Sequence, residues 1–179
     1  FNVSPLSVES TFVGYGNGDV VDFCLTAMIF DDLNIVILPL NDARPGFNSF
    51  YKIVYQNVGT NLASGEIALE FDISRQNFLF ANPNETEING NTIRWDYSNL
   101  LPFESGSITV AFNNLPPPTN NSGDILSFVA TISPETDDVT PEDNTYTLEQ
   151  VIINSQDPND KLVLQGEEMF LNEVGGFLD

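Results

Sequence analysis

Histidine is absent from the 179 residues, and cysteine occurs once, at Cys24. Without an imidazole, every histidine-based acid, base, nucleophile relay or metal ligand is excluded. A lone cysteine excludes an internal disulfide, so the fold must rest on its core and on any ions it binds. Cys24 falls in the alternating run "VVDFCL", a pattern that predicts a small buried apolar side chain rather than a reactive thiol. Cations are scarce: Arg44, Lys52, Arg75, Arg94 and Lys161 stand against 26 Asp and Glu, for a net charge of -21. Such a polyanion is repelled by phosphate backbones and anionic lipid, which argues against nucleic acid as a partner. No apolar run approaches the roughly 18 residues that span a bilayer as a helix, so membrane insertion is not expected either. The chain begins at Phe1 and reads as a mature fragment or as a piece of something longer.

Apolar residues make up 41% of the chain, enough to rule out a disordered polymer. Gly, Pro, Asn, Asp and Ser punctuate it at short intervals, and between them the apolar period is 2 rather than 3.6. In "EIALEFD" Ile67, Leu69 and Phe71 face one way; "TIRWDYS" does the same with Ile93, Trp95 and Tyr97, and "SITVAFN" with Ile108, Val110 and Phe112. Further strands are expected at 33–38, 49–56, 124–133 and 146–153, with Tyr51, Ile53 and Tyr55 inward in the second. Seven strands in one span predict an all-β, immunoglobulin-like β-sandwich. "ARPGF" supplies a Pro-Gly turn, "NVGT" ends a strand at Gly59, and the prolines at 116–118 make a stiff spacer rather than a polyproline ligand.

Two incomplete pieces flank this unit. Residues 1–27 hold two strand-like runs around "GYGNGD" and read as the closing strands of a preceding β module, whereas 28–153 form the complete sandwich. Residues 154–160 make an acidic linker. The tail, 161–179, repeats the order of the sandwich's own beginning: an apolar strand, then an acidic or Gly-containing loop, then the start of an aromatic-bearing strand.

The succession "DLNIVILPLNDARPGFNSFYKIVYQNVGT", "GNTIRWDYSNLLPFESGSITVAF", "SGDILSFVATISP", "DVTPEDNTYTLEQVI" and "SQDPNDK" resembles the conserved-repeat, immunoglobulin-like domains of large Bacteroidota surface proteins, over residues 28–179. "ARPGF", "TPEDNT" and "DPNDK" fall in the order that family shows. The resemblance implies an extracellular module at the outer surface of a Gram-negative cell, strung in tandem in a protein exported by type IX secretion. Adhesion, gliding or stalk-like spacing are the roles it implies, with neighbouring modules and export components as partners.

No constellation points to catalysis, because the acidic residues mostly alternate outward on strands instead of facing each other across a cleft. "GYGNG" and "VGGF" lead into no helix and cradle no phosphate. Calcium is the sharper expectation, since it takes six to eight hard oxygen ligands of the kind that acidic loops supply. One candidate loop, "ETDDVTPEDNT", offers Asp137, Asp138, Glu142 and Asp143, together with Glu135 and Asn144. The other is the linker, with Asp157, Asn159 and Asp160; there the competing reading has the aspartates cap a turn preset by Pro158, beside Lys161. N-x-Ser/Thr tripeptides begin at Asn2, Asn84 and Asn120, a number that chance explains in so Asn-rich a chain. Most aromatic residues are expected in the core, while the pattern around Phe78, Phe80 and Phe103 does not decide which face they take, and an exposed aromatic stripe would suit a carbohydrate.

The reading that follows is a non-catalytic spacer with calcium as its candidate ion. Its rival is a module whose loop "RQNFLFANPNETEINGN" grips a glycan or a surface protein; a third has the chain acting only as cargo of the export machinery.

Overall fold

The computed structural model describes residues 2–26 and 28–154. All seven expected strands are present: β3 (Leu33–Pro39), β4 (Asn48–Asn57), β5 (Ala63–Phe71), β8 (Thr92–Leu100), β9 (Ser105–Asn114), β10 (Ile125–Ser133) and β11 (Thr145–Val151). Two more lie in the stretch expected to be loop, β6 (Gln76–Asn82) and β7 (Glu87–Asn89). Alternation hides β6 because its pairing with β9 shifts register between Phe78 and Phe80, so Gln76 and Ala81, five residues apart, are both buried. β7 is three exposed residues and has no apolar pattern to read. Its signal is the two-residue hairpin Gly90-Asn91, in which Gly90 takes the positive φ that such turns require.

The sandwich consists of a five-stranded sheet, β11-β10-β5-β8-β7, and a four-stranded sheet, β3-β4-β9-β6, all paired antiparallel. Ile67, Leu69, Phe71, Ile93, Trp95 and Tyr97 from the first sheet face Ile35, Ile37, Tyr51, Ile53, Ile108, Val110 and Phe112 from the second, all buried. Phe112 lies at the centre, with its ring 4.8 to 6.0 Å from those of Tyr51, Phe71, Phe78 and Phe128. The phenol tips of the core tyrosines are bonded, as burial demands. Tyr51 donates to Gln150 at 2.6 Å and Tyr97 to the Ser133 carbonyl at 2.7 Å, and burial pushes both phenols up to about 12.

Among the described residues β1 (Asn2–Ser4) and β2 (Cys24–Thr26) pair only with each other, as an exposed ribbon outside both sheets. Cys24 is exposed there, contrary to the buried role its alternating neighbours suggest, because a two-stranded ribbon has no second layer to cover either face. Phe80 and Phe103 are likewise exposed, Phe80 because the β6 bulge turns it outward and Phe103 because it sits at positive φ in a surface turn.

Strand direction gives the sandwich two ends. β3 starts and β10 finishes at one, together with the β4–β5 and β10–β11 loops; the other gathers the β3–β4, β5–β6 and β9–β10 loops and the end of β11.

Candidate metal centre

The first end is built around a crossing segment, residues 28–32, which leads from the ribbon into β3. It is wedged between two loops. On one side Val58 and Gly59 donate to the Asp32 carbonyl at 2.7 and 2.9 Å, and Thr60 donates to the Phe30 carbonyl at 2.9 Å. The approach is so close that a Cβ on Gly59 would lie 2.7 Å from both the Asp32 nitrogen and the Phe30 oxygen, so "NVGT" needs its glycine for contact as well as for the strand end. On the other side the β10–β11 loop joins Asp138 to Asp31 by a parallel bridge, with Val139 donating to the Asp31 carbonyl at 3.0 Å.

This wedge brings Asp32, Asp138 and Asp143 together, each offering a carboxylate oxygen within 4.8 Å of the others. Asp138 is fixed by two backbone donors, Leu33 N–H to Oδ2 and Thr140 N–H to Oδ1, both at 2.8 Å. Its oxygens keep lone pairs to spare. Asp143 stands on a short 3-10 turn, Pro141–Asn144, opened by a proline whose missing N–H costs nothing there. Among the described residues, Oδ1 of Asp32 and Oδ1 of Asp143 are enclosed without a hydrogen-bond partner, and so are both side-chain amide atoms of the wholly buried Asn144.

No ion pair among the described residues reaches these carboxylates; the four that form join Arg44 to Asp42, Arg75 to Asp72 and Asp124, and Arg94 to Glu66. Burial, followed by the charge of Asp138, holds the Asp32 carboxyl above its ordinary range. Burial, then Asp32 and Asp138, does the same to Asp143. Hard oxygen donors, shared negative charge and no nitrogen or sulfur ligand make a set suited to an alkaline-earth cation rather than to a soft transition metal.

Of the expected ligands, the group takes in Asp138 and Asp143. Asp137 and Glu142 are exposed and stand outside it, Asp137 on a left-handed turn and Glu142 on the outer side of the 3-10 turn. Asp157, Asn159 and Asp160 lie outside the described residues. Sequence reading missed Asp32; its signal is the acidic pair in "FDDLN", immediately before an apolar strand and more than a hundred residues from its partners. Of the three tripeptides, Asn120 is wholly buried and its amide donates to the Arg75 and Leu115 carbonyls at 2.8 and 2.9 Å, which rules out a glycan there; Asn84 is exposed.

No family model matches the chain, and no curated protein does. Among solved structures it is similar to a CARDB domain from Pyrococcus furiosus, solved in complex with di-metal ions, at 18% identity and a TM-score of 0.47, over 73% of this chain and all of that one. It is also similar to BslA, a bacterial hydrophobin, at 13% identity and a TM-score of 0.45, over 73% of this chain and 100% of that one. A cohesin module from a Clostridium perfringens family 33 glycoside hydrolase matches at 13% identity and a TM-score of 0.44, over 72% of this chain and 100% of that one. The likeness extends no further than the sandwich architecture already read from the sheets.

Proposed function

We propose that the chain supplies a non-catalytic β-sandwich spacer to a secreted or surface-displayed protein of a Gram-negative bacterium, and that this spacer takes up calcium at Asp32, Asp138 and Asp143. The observation that carries the metal part is a three-carboxylate group with enclosed oxygens that, among the described residues, have no hydrogen-bond partner and no basic residue paired to them. The export part is supported by the resemblance of "ARPGF", "TPEDNT" and "DPNDK" to modules of type IX secretion cargo, and with it come neighbouring modules and export components as partners and adhesion or gliding as the context. Calcium fits better than magnesium because three carboxylates spread over two chain segments form a loose cage, whereas magnesium demands near-ideal octahedral geometry and gives up water reluctantly.

Thermal unfolding of the chain in millimolar calcium and in chelator tests the metal part. Extracellular modules bind calcium with dissociation constants of about 0.1 to 1 mM, so ten times that concentration adds about 1.4 kcal/mol. For a domain of this size the melting temperature rises by roughly 3 to 6 °C. The rise disappears in Asp32→Asn/Asp143→Asn. A wild-type protein with no calcium shift and no heat of binding would leave a spacer without its ion.

The binding-module reading keeps one observation in its favour: Leu79 and Phe80 stand 45% and 51% exposed on edge strand β6. A glycan-array or pull-down signal that Phe80→Ala abolishes, with folding intact, establishes it in place of the spacer.

A further inference from the structure

Acidic residues are divided unevenly between the two sheets. Strands β5, β7, β8 and β11 of the five-stranded sheet carry Glu66, Glu70, Glu87, Asp96 and Glu149, whereas β3, β4, β6 and β9 carry neither aspartate nor glutamate. In a chain of net charge -21, the four-stranded sheet is spared, and its one cation, Lys52, enters no ion pair among the described residues. The register says what its outer face offers instead. Phe50 on β4 and Phe80 on β6 stand on either side of Ala111 on β9, each opposite it in its own ladder. Alternation points Ala111 away from the core, since Val110 and Phe112 point in, yet it is wholly buried, a methyl flanked by two phenyl rings. Half-exposed Leu40 continues the apolar row, its N–H donating to the Phe50 carbonyl at 2.8 Å. Beside that row runs one of amides: Asn113 Nδ2 donates to Asn48 Oδ1 at 2.9 Å, which leaves the Asn48 amino group and the Asn113 side-chain oxygen without a partner among the described residues.

We propose that this face binds an extended, neutral, β-linked polysaccharide, laid across the strands with its sugar rings on Phe50 and Phe80. Strands two places apart in a sheet are separated by about 9.5 Å, a spacing that suits alternate hexoses of a β-1,4-linked chain. Phenyl rings give the C–H face of a sugar a large, stiff apolar surface, and the free amide groups give its hydroxyls one donor and one acceptor. Charge decides the class of polymer. An acidic one is repelled by the chain as a whole, and a basic one finds no carboxylate on these strands. A second copy of the chain brings the same repulsion as an acidic polymer. The inference rests on the binding-module reading, moves its contact from a loop to a sheet face, and is independent of calcium.

Calorimetry of the full chain with cellohexaose, β-1,4-mannohexaose and N-acetylchitohexaose, and with an oligogalacturonate as the acidic control, tests the face. Binding of at least one neutral hexamer, and none of the acidic oligomer, is expected. Phe50→Ala and Phe80→Ala should each weaken that binding about tenfold, the loss of one aromatic anchor. Phe103→Asn removes an exposed ring elsewhere on the surface, suits the positive φ there, and should leave binding unchanged. Asn48→Ala, at the exposed start of β4, keeps the test open if Phe50→Ala fails to fold, and should weaken binding about threefold, the share of one hydrogen bond. A loss in Phe80→Ala alone, or binding of the acidic oligomer only, overturns the face and leaves the binding-module reading standing. No binding of any of the four overturns the proposal, and the loop reading then rests on the glycan array or pull-down alone. A dimer in sedimentation that Phe50→Ala dissociates makes the face a contact between copies and overturns it as well.

Discussion

At the start of β10, Asp124 accepts the Asn121 N–H at 2.9 Å and pairs with Arg75 at 2.9 Å, while the same guanidinium reaches Asp72 at 3.6 Å and Asn120 Oδ1 at 3.2 Å. At its end, Asp138 meets Asp32 and Asp143, and among the described residues no guanidinium or ammonium pairs with them. The side chains are of one kind and the outcomes are opposite. The Asn121 amide, followed by Arg75, holds the Asp124 carboxyl below its ordinary range, whereas burial and neighbouring charge push Asp32 and Asp143 above theirs. Nine residues of strand, about 30 Å, separate the two clusters, more than enough for salt to make them electrically independent. A cluster that contains its own cation has its charge neutralised by folding; the other keeps its carboxylates unneutralised among the described residues.

The comparison breaks most severely if the finished cluster is given one acid too many. Asn120→Asp replaces two buried amide donors with an acceptor facing the Arg75 and Leu115 carbonyls. The expected cost is about 3 kcal/mol, which lowers the melting temperature by roughly 6 to 12 °C whether or not calcium is present. Arg75→Ala comes next: the bonds to Asp124 and Asn120 are lost, and the melting temperature falls by less than in Asn120→Asp because Arg75 and Asp124 are both solvent-screened. Because the other end is distant, this variant keeps the full calcium shift of the wild type, and a diminished shift would show the two clusters to be coupled. Acid titration sharpens the contrast. A carboxyl with a lowered folded value contributes stability above its unfolded value and loses it as pH falls through the folded one. Urea midpoints of Arg75→Ala between pH 7 and pH 3 should therefore fall less steeply than those of the parent.

Why one cluster was half legible and the other not follows from where their residues lie in the chain. Strands such as β5 announced themselves by burying alternate residues, as in Ile67-Leu69-Phe71. The β6 bulge erased that signal, and β7 was too short to carry one. Asp138 and Asp143 were visible because they share a loop of unpaired acids, in a chain where only five cations exist to serve 26 carboxylates. Asp32 was not, since what brings it to them is the antiparallel route of β3 and β10 to a common end, a property of topology rather than of any local pattern. Arg75 likewise gives no hint in sequence that it will meet Asp124, forty-nine residues on.

The smallest effect is the most discriminating one within that acidic loop. Asp137 and Asp138 are adjacent and chemically identical, yet Asp138 is fixed by two backbone amides toward Asp32, and Asp137 is exposed at φ +68. Asparagine tolerates that left-handed backbone as well as aspartate does, so Asp137→Asn introduces no strain. It removes one charge from the neighbourhood of the ion and no ligand. Stability should stay within about 0.5 kcal/mol of the parent, and calcium affinity should fall by less than about threefold, the share of a single screened surface charge. Asp138→Asn, by contrast, takes away a carboxylate of the group that is fixed by Leu33 and Thr140, and should cost most of the binding. If the two variants lost affinity equally, the loop would be attracting calcium through its summed charge alone, and the three-residue site would have no separate existence.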